Sequence, residues 1–482
     1  MRVKAKSIMV QGTASDSGKS TLVTGLCRYY KNRGLRVFPF KSQNMASNSA
    51  FTLEGKEISK AQITQAEAAG LEADIRMNPI FLRPSSDTGS DVILNGEVHG
   101  HMSAMDYTKF KKDLKPFLRK TYEEIEKEND LIILEGAGSP AEINLQENDL
   151  VNMGMAEIAD CPVILVADID LGGVFASIYG TVLLQKPEDR ERIKGIIINK
   201  FRGDVDILRP GLDMIEDLTG IPVIGVVPYS DIHIEEEDSV SIKKISRTYD
   251  RSKDLDLAIL SLKHIGNFSD YNSLKVFSDL SIRFIRDLED FGDPDLVILP
   301  DSTNPGADLA YMKELGFDEK VVGHVNNKKD LIALGASAYL LGQDIDFGPG
   351  GDAKGLGIFE GKASFSQKPD RKWLALETQG HSIEGLANKK AQASGLGDQE
   401  IFDGYGYESK DKGILATDLI GLFDNTSFMR SYLNRIRERK GLGPLDSAKE
   451  SYKDYKERAY EDLAQLVAGF IDMEALDKII FG

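Results

Sequence analysis

Short apolar runs alternate with longer amphipathic segments over the first half of the chain. The runs, each bounded by polar or turn-forming residues, are Ser7–Gln11, Arg36–Phe40, Leu131–Leu134, Pro162–Ala167, Gly195–Asn199 and Ile221–Val227. Buried strands separated by helical segments are typical of a parallel sheet that helices cover on both faces. Ligands of such sheets bind at the carboxyl ends of the strands, so we expect functional residues there.

The pattern changes after residue 235, where a charged stretch over residues 236–254 predicts a linker. A second alternating region follows, and its candidate strands are Leu255–Ser261, Ile282–Ile285, Leu296–Leu299, Lys320–His324 and Leu331–Leu334. Dense glycines over residues 348–357 and 380–406 predict loops, and an amphipathic pattern over residues 431–480 predicts a helical tail. The sequence therefore predicts an α/β fold with one domain over residues 1–235 and another over residues 255–482.

Composition narrows the functional classes. The chain has 482 residues and a formal net charge of −18, and this acidic balance disfavours a nucleic-acid or membrane-surface protein, because both need clustered lysine and arginine. The only two cysteines, Cys27 and Cys161, exclude a disulfide scaffold and a cysteine-rich metal site. The first apolar run leads directly into a glycine loop, as in a first strand rather than a signal peptide. We expect a cytoplasmic protein with neither a nucleic-acid nor a membrane partner.

A glycine-rich loop, here called the phosphate loop, follows the first predicted strand and opens a helical segment. Its candidate ATP-binding residues are Gly12, Thr13, Ser17, Gly18, Lys19, Ser20 and Thr21. Backbone N–H groups of such a loop, together with the positive end of the helix, cradle phosphates. Lys19 is spaced to reach the β- and γ-phosphate oxygens, and Ser20 to ligate Mg²⁺. The strand–loop–helix order favours this interpretation over a glycine turn without a ligand.

Two other predicted strands end in polar residues at the same edge. Glu135 follows Leu131–Leu134 and is positioned as a second Mg²⁺ ligand. The alternative for Glu135 is an acid that is satisfied within its own loop. Asn199 ends a later strand, where its amide can pair with both a donor and an acceptor of adenine, although a structural amide is the alternative.

Several polar segments lie next to the predicted ligand edge. Their candidate substrate-binding residues are Ser42, Gln43, Asn44, Glu67, Asn78, Ser139, Glu142 and Asn144. Such a ring of donors and acceptors suits a substrate that carries several carboxylates or amides. Helix caps and solvated turns are the alternative explanation for part of this set.

These residues occur in motifs that resemble the cobyric acid synthase family, the glutamine-dependent corrinoid amidotransferases of cobalamin biosynthesis. The matching motifs include GTASDSGKS, PFKSQNMASNS, QAEAAG, RMNPIFLRP, EGAGSPAEINL, NDLVNMGMA, INKFRGD and GVVPY. The resemblance implies a parallel-sheet P-loop NTPase-like domain over residues 1–235, similar to dethiobiotin synthetase, followed by a class I glutaminase-like α/β domain. The first domain departs from the family pattern at Leu171, where arginine is usual, and at Arg83, where lysine is usual.

The resemblance also implies a reaction. ATP and Mg²⁺ would support amidation of the b, d, e and g carboxylates of adenosylcobyrinic acid a,c-diamide, each through an acyl phosphate that ammonia converts to the amide. Lys19, Lys41 and Glu135 are the expected catalytic residues, with Lys41 bridging the γ-phosphate and the substrate carboxylate. Ser20 and Glu135 are the expected Mg²⁺ ligands.

The second domain lacks the residues that glutamine hydrolysis requires in this family. Gly335 stands where the nucleophilic cysteine belongs, and Ile420 stands where its partner histidine belongs. A thioester mechanism needs a thiolate that a histidine activates. Ser337 would need a base among His264, His324 and His381, of which His324 is expected to end a strand, and the sequence disfavours such a pair. We expect an inactive glutaminase half and ammonia from solution or from a separate glutaminase.

Two other functions fit the same motifs. A non-catalytic protein that binds corrinoid or nucleotide would explain the loss of arginine at Leu171 and the altered second domain. An amide ligase for another polycarboxylate is the third possibility, which the retained motifs around Gln43 and Ser139 only weakly oppose.

Overall fold

The computed structural model describes residues 4–46, 49–86, 89–232, 234, 246–446 and 450–482. The chain divides into two compact units. The first comprises Met1–Thr52, Lys56–Glu237 and Lys456–Gly482, and the second comprises Leu53–Gly55 and Asp238–Tyr455. Of the expected linker, residues 236–245 lie outside the described residues. The domain boundaries expected from sequence stay predictions.

The first unit is built on a parallel sheet. Its strands, with those of the smaller sheets beside it, are β1 (Lys6–Gly12), β2 (Val37–Phe40), β3 (Gln43–Met45), β4 (Ser49–Phe51), β5 (Glu57–Ser59), β6 (Ile80–Ser86), β7 (Gly89–Leu94), β8 (Glu97–Ser103), β9 (Leu131–Glu135), β10 (Val163–Asp168), β11 (Ile193–Phe201) and β12 (Val223–Pro228). The parallel sheet has the order β12-β11-β10-β1-β9-β2. Each apolar run predicted for this half of the chain is a strand of this sheet.

Helices cover both faces of the parallel sheet. The helices of this part of the chain are α1 (Lys19–Asn32), α2 (Lys60–Ala68), α3 (Ala104–Phe110), α4 (Leu114–Glu126), α5 (Met153–Ala159), α6 (Val174–Leu183), α7 (Pro187–Arg190) and α8 (Val205–Thr219). Of these, α3 and α7 have no buried residues, and α3 contacts β8. Alternate strand residues enter opposite cores: Met9 packs in the cluster that includes α4 and α5, whereas Ile8 and Val10 pack in the cluster that includes α1. Burial on both faces explains why these strands read as continuous apolar runs.

The smaller sheets were not predicted from the sequence. Strands β3, β6, β7 and β8 form one sheet in that order, and β4 pairs with β5. Strand β8 is largely exposed and reads EVHGHMS. It therefore has no apolar run for a pattern analysis to detect.

The second unit contains two sheets. Its strands are β13 (Leu255–Leu260), β14 (Leu280–Ile285), β15 (Leu296–Leu299), β16 (Asp330–Leu334), β17 (Asp344–Asp346), β18 (Asp352–Lys354), β19 (Lys362–Thr378), β20 (His381–Ser394), β21 (Gln399–Ile401), β22 (Gly406–Ser409), β23 (Ile414–Thr417) and β24 (Leu419–Ile420). Its helices are α9 (Pro305–Leu315), α10 (Phe317–Asn326), α11 (Ala336–Tyr339) and α12 (Thr426–Arg439). The main sheet has the order β14-β13-β15-β16-β23-β22-β21 and the other β18-β17-β19-β20-β24.

Two sequence predictions for this unit are wrong. Lys320–His324 is part of helix α10 and not a strand. The buried residues Phe317, Val321 and Val325 of α10 are four positions apart, which is a helical spacing. The five residues of the predicted strand are too few to show this spacing. The loop predicted over residues 380–406 contains strand β20, which pairs with β19 in a long antiparallel hairpin.

The C-terminal helices α13 (Tyr452–Phe470) and α14 (Met473–Phe481) complete the fold. Residues 456–482 belong to the first unit, whereas the domain predicted over residues 255–482 includes them. Tyr460, Val467 and Ile471 join the apolar cluster on the α1 face of the parallel sheet. The tail is therefore part of the core of the first unit.

Both cysteines are buried and unpaired, as expected for small apolar core residues. Burial raises the pKa of the Cys161 thiol to about 12, so this thiol is neutral at physiological pH. Across the described ranges, the helices are too short or too polar to span a bilayer. A cytoplasmic location stays a prediction.

Candidate active site

The phosphate loop connects β1 to α1, as predicted. Gly18 precedes α1 with a φ of 88°, and a Cβ atom there would lie 2.0 Å from Asn199 Nδ2. A Cβ atom at Gly12 would lie 2.2 Å from Ser17 Oγ. Both positions lack space for a side chain. Gly18 also has a left-handed backbone conformation that favours glycine. The turn delivers the N-terminus of α1, with Lys19, Ser20 and Thr21 in its first turn, to the carboxyl edge of the sheet.

Glu135 is the centre of a hydrogen-bonded cluster at this edge. Its Oε1 atom accepts hydrogen bonds from Ser20 Oγ at 2.8 Å and from Lys41 Nζ at 2.9 Å. Its Oε2 atom accepts one from Gln65 Nε2 at 2.5 Å. Lys19 lies beside them, with Nζ donating to Ala14 O at 3.0 Å. Of the predicted site residues, Lys41 and Ser20 thus meet at the Glu135 carboxylate.

The charge state of Glu135 follows from these contacts. Burial alone would raise the pKa of the carboxyl group, but the Lys41 ammonium and the hydrogen bonds from Lys41 and Ser20 outweigh burial and hold the pKa below its ordinary value. Glu135 and Lys41 are both buried, so solvent screens their attraction little. The cluster therefore holds an ionised carboxylate at neutral pH.

The Ser20 and Glu135 oxygens fit a Mg²⁺ ion geometrically. Two adjacent ligands of an octahedral ion, each about 2.1 Å from the metal, lie about 3 Å apart. The measured separation between Ser20 Oγ and Glu135 Oε1 is 2.8 Å. Among the described residues there is no cluster of three or more acidic, histidine or cysteine side chains suited to a metal. Mg²⁺ in nucleotide sites needs few protein ligands, because phosphates and water supply the rest.

Asn199 contacts the phosphate loop from the end of β11. Its Nδ2 atom donates to Ser17 O at 2.9 Å. The next residue, Lys200, donates from Nζ to Asp16 O at 2.5 Å and to Asp168 Oδ2 at 2.7 Å. These contacts brace the loop, and the predicted adenine contact of Asn199 stays a prediction.

Three predicted substrate-binding residues are buried and bonded within the protein. Ser42 Oγ donates to Leu150 O at 2.5 Å, and Asn44 Nδ2 donates to Ser59 Oγ at 2.6 Å. Asn78 Nδ2 donates to Lys41 O at 2.9 Å, which fixes the backbone that carries Lys41. Because these donors have internal partners, the structure favours a scaffolding role for them over substrate contact.

A cavity of about 630 Å³, here called the strand-edge cavity, opens beside the loop that follows β9. Three of the predicted substrate-binding residues, Gln43, Ser139 and Glu142, line it. Asn144 is exposed in the neighbouring 3₁₀ segment Ile143–Asn148 and is not among the lining residues. Gly138 also lines the cavity, and its carbonyl accepts from Lys19 Nζ at 3.4 Å. Gly138 therefore connects the wall of the cavity to the phosphate-loop lysine.

Glu67 has a different set of contacts from those predicted. Its carboxylate accepts two hydrogen bonds of 2.8 Å from Lys456 Nζ and one of 2.6 Å from Tyr460 Oη, both on α13. Gln65, two residues earlier on α2, makes the contact with Glu135. The sequence identified the correct segment but the wrong face of the helix, since residues two apart point in nearly opposite directions.

The comparisons with known proteins agree with this geometry. Residues 8–240 match the CobQ/CobB/MinD/ParA nucleotide binding domain, and residues 256–428 match the CobB/CobQ-like glutamine amidotransferase domain. Cobyric acid synthase of Streptococcus sanguinis is 45% identical, over 98% of this chain and 99% of the relative. Those of Listeria monocytogenes (44% identical, 99% and 97% covered) and Limosilactobacillus reuteri (45% identical, 98% and 98% covered) are similar.

The chain belongs to the cobyric acid synthase family. The expected family and the expected order of a P-loop NTPase-like and a glutaminase-like α/β domain are confirmed. The first-domain departures from the family lie in different surroundings. Leu171 is 79% exposed, whereas Arg83 donates to Glu57 Oε1 at 2.6 Å and Asp91 Oδ2 at 3.0 Å in the smaller sheet.

The position of the family's nucleophile is a strand-to-helix turn in the second unit. Gly335 lies between β16 and α11 with φ 51° and ψ −128°. A Cβ atom at this position would lie 2.1 Å from Asp301 Oδ1 and 2.4 Å from Asp301 Cγ. Glycine is therefore the residue that this turn accommodates.

Asp301 fills the space that a nucleophile at position 335 would need. Its Oδ1 atom accepts hydrogen bonds of 2.8 Å from the backbone N–H groups of Ser302 and Ala336. Lys390 Nζ lies 2.8 Å from both carboxylate oxygens. Backbone donors at such a turn are suited to a developing oxyanion. In this member of the cobyric acid synthase family, they bind an internal carboxylate.

The three histidines after residue 254 have partners elsewhere in the second unit. His264 Nδ1 lies 2.9 Å from Asp308 Oδ1, and His381 Nδ1 lies 2.9 Å from Ser427 Oγ. His324 is on α10, where Nε2 donates to Asp330 O at 2.8 Å, and burial lowers its pKa to about 4. Ser337 Oγ is buried and, within the described part of the chain, has no hydrogen-bond partner. The inactivity expected for the glutaminase half stays a prediction.

Proposed function

We propose that this chain uses ATP to amidate the b, d, e and g carboxylates of adenosylcobyrinic acid a,c-diamide, giving cobyric acid. Membership of the cobyric acid synthase family makes the chain an ATP-dependent amide ligase of cobalamin biosynthesis. The corrinoid substrate, the intermediates and the source of ammonia are our proposal. The observation that carries it is the Glu135 cluster, in which Ser20 and Lys41 share one buried carboxylate oxygen.

The phosphate loop provides the nucleotide site. The N–H groups of residues 13–18 and the positive end of α1 bind the phosphates of ATP, and Lys19 contacts the β- and γ-phosphate oxygens. Asn199, held at Ser17 O, is the proposed contact to adenine. Ser20 and Glu135 would hold Mg²⁺, which when bound neutralises charge on the β- and γ-phosphates.

Amide formation then takes two steps. An oxygen of the substrate carboxylate attacks the γ-phosphorus of ATP, the bond from that phosphorus to the bridging oxygen breaks, and ADP leaves. Ammonia next attacks the carbonyl carbon of the acyl phosphate, loses a proton and displaces inorganic phosphate. Lys41 is held by an ion pair with Glu135, and we propose that its ammonium pairs with both the γ-phosphate and the reacting carboxylate. Its contribution is the electrostatic stabilisation of charge that moves between them.

The substrate approaches from the strand-edge cavity. Gln43, Ser139 and Glu142 line this cavity and are the proposed contacts to the carboxylates and amides of the substrate. Asn144 is a proposed contact at its exposed margin. Ser42, Asn44 and Asn78 are proposed to hold the segment that carries Lys41.

We propose that ammonia comes from solution or from a separate glutaminase. The second unit has glycine at the position of the nucleophile, and the Asp301 carboxylate occupies the adjacent backbone donors. Neither Cys27 nor Cys161 lies in this unit. These observations support a glutaminase half without activity.

The test is an assay with ATP, Mg²⁺ and the a,c-diamide, supplied with either ammonium or glutamine. We expect ADP release and amide formation with ammonium, and neither with glutamine in ammonium-free buffer. Amidation with glutamine alone would disprove the inactive glutaminase half. Failure of both reactions at saturating ammonium would disprove the ligase proposal for this substrate.

One observation favours a second candidate, a protein that binds corrinoid or nucleotide without turnover. Leu171 is exposed where the family has arginine, so a fork of donors for a carboxylate or phosphate is missing. Calorimetric titration with ATP and the a,c-diamide distinguishes the two, because binding without turnover at saturating ammonium supports the second. Turnover only with another polycarboxylate would identify the chain as a ligase of different specificity.

A further inference from the structure

A lysine without a partner lies on the wall of the strand-edge cavity. Lys111 begins the 3₁₀ turn Lys111–Asp113 between α3 and α4, and its side chain lines the cavity together with Gln43 and Gly138. Within the described residues its ammonium has neither a hydrogen bond nor an ion pair. A partly buried ammonium without a counter-ion is unfavourable, and an anionic ligand would relieve the cost.

Asp149 acts on the charge of Lys111 but forms no ion pair with it in the described structure. Burial lowers the pKa of Lys111, and the charge of Asp149 opposes that shift. The Asp149 carboxylate accepts the backbone N–H groups of Val151 at 2.9 Å and Gly154 at 2.8 Å, which hold it in the turn before α5. The ammonium of Lys111 therefore keeps its hydrogen-bond donors for a ligand in the cavity.

The other basic residues on the cavity wall are either compensated or exposed. Lys115 Nζ pairs with Glu157 at 2.9 Å, and Arg192 pairs with Asp160 at 3.1 Å. Lys186 is exposed to solvent. Lys111 is therefore the half-buried cation of this wall whose charge is not matched by an ion pair in the described structure.

We infer that Lys111 binds a carboxylate of the substrate other than the one being activated. This inference rests on the proposed function. A substrate that carries several carboxylates matches the half-buried cation on this wall. When Lys111 binds one carboxylate of the substrate, a neighbouring carboxylate of the same substrate lies toward Gly138. The carbonyl oxygen of Gly138 is 3.4 Å from Lys19 Nζ. Lys111 is thus a positioning residue. It distinguishes a carboxylate from a carboxamide at a substrate position that is not the one reacting.

The experiment compares Lys111→Met with Lys112→Met, the exposed neighbour on the same turn. Visible absorption of the corrin chromophore measures binding of the a,c-diamide to the full chain. We expect Lys111→Met to weaken this binding by about tenfold or more, the range for a lost charged hydrogen bond. Lys112→Met should stay within about twofold of wild type. Binding of a fluorescent ATP analogue should be equal in all three proteins and reports correct folding.

Cobyric acid, in which four of the carboxylates have become amides, provides the control. If Lys111 had only a structural role, its replacement would weaken binding of both corrinoids equally. The wild-type chain should bind the diamide more tightly than cobyric acid. Lys111→Met should lose this preference, and Lys111→Arg should regain part of it. Unchanged diamide binding by Lys111→Met, or equal losses for both corrinoids, would overturn the inference while wild-type turnover leaves the proposed function standing. A wild-type chain that neither binds nor converts the diamide would overturn both.

Discussion

At the scale of single residues, the proposed ligase site depends on Glu135, because one carboxylate accepts hydrogen bonds from Lys41, Ser20 and Gln65 beside the phosphate loop. The sequence could predict Glu135, Ser20 and Lys41, since each directly follows a predicted strand or the phosphate loop. It could not select Gln65 over Glu67, because the choice depends on which face of α2 turns toward the sheet. That orientation is set by packing and not by the local sequence.

Glu135→Gln should lower kcat by about a hundredfold or more, the range for losing a preorganised charge in an active site. The amide keeps the shape but neither balances Lys41 nor offers two anionic oxygens. Steady-state ADP release at saturating ammonium and diamide measures the effect, and the required Mg²⁺ concentration should rise. Glu124→Gln, at an exposed position on α4, is the matched control. Near-wild-type turnover of Glu135→Gln would show that the reaction does not need the Glu135 carboxylate.

Asp418, next to the turn that carries Gly335, should make stability depend on pH. Burial raises its pKa to about 7, from an ordinary value near 4. Between about pH 4 and 7 the folded chain keeps this proton and the unfolded chain does not, so its contribution to stability falls as pH rises. Asp418→Asn should therefore gain stability relative to wild type across this window, by at most about 4 kcal/mol, and level off above pH 7.

Urea denaturation at several pH values tests this expectation for Asp418. Tyr339 Oη donates to Asp418 Oδ2 at 2.5 Å, and an asparagine oxygen can accept the same bond. Asp411→Asn, at an exposed position, should show no such pH dependence. A constant difference between Asp418→Asn and wild type from pH 5 to 8 would contradict the raised pKa.

At the scale of elements, the strands were predictable where burial makes them continuous apolar runs, as in Leu131–Leu134. Elements were missed where that signal is absent. Strands β19 and β20 pair with each other over long polar stretches, and their stability comes from the pairing, which a single segment does not reveal. Helix α10 was mistaken for a strand because its short Val-Val pair has a high strand propensity.

The elbow between β16 and α11 gives a prediction about restored chemistry. Gly335→Cys with Ile420→His should yield no glutaminase, because the new side chain would overlap the Asp301 carboxylate. Adding Asp301→Gly should make room, so the thiol at position 335 should react with iodoacetamide in the triple variant and not in the double. Intact mass measures this labelling against a low background, since both native cysteines are buried.

The labelling experiment needs one control, and one outcome would contradict the predicted overlap between the new thiol and Asp301. Asp301→Gly alone removes the partner of Lys390, so its thermal unfolding must first show that the second unit stays folded. Fast labelling of the double variant would mean that Asp301 moves aside readily. We expect glutamine hydrolysis by the triple variant to stay low, because the elbow glycines of the family are also missing.

At the scale of the whole molecule, the order of segments in the chain is not their order in the fold. An amphipathic pattern predicts that a tail helix has an apolar face, but not which surface that face covers. The tail covers the α1 face of the first unit, where Glu67 binds Lys456 and Tyr460. A domain boundary drawn from sequence position alone separates this tail from the core that it completes.

A fragment of residues 1–235 should therefore be unstable without the tail. Buried tail residues such as Val467, Leu476 and Ile480 contribute about 1.5–3 kcal/mol each, and a typical domain has only about 5–15 kcal/mol in total. Co-expression with residues 452–482 should restore thermal unfolding and binding of a fluorescent ATP analogue, whereas a tail with Val467→Asp and Leu476→Asp should not. A fragment that is equally stable with and without the tail would show that α13 and α14 are dispensable to the first unit.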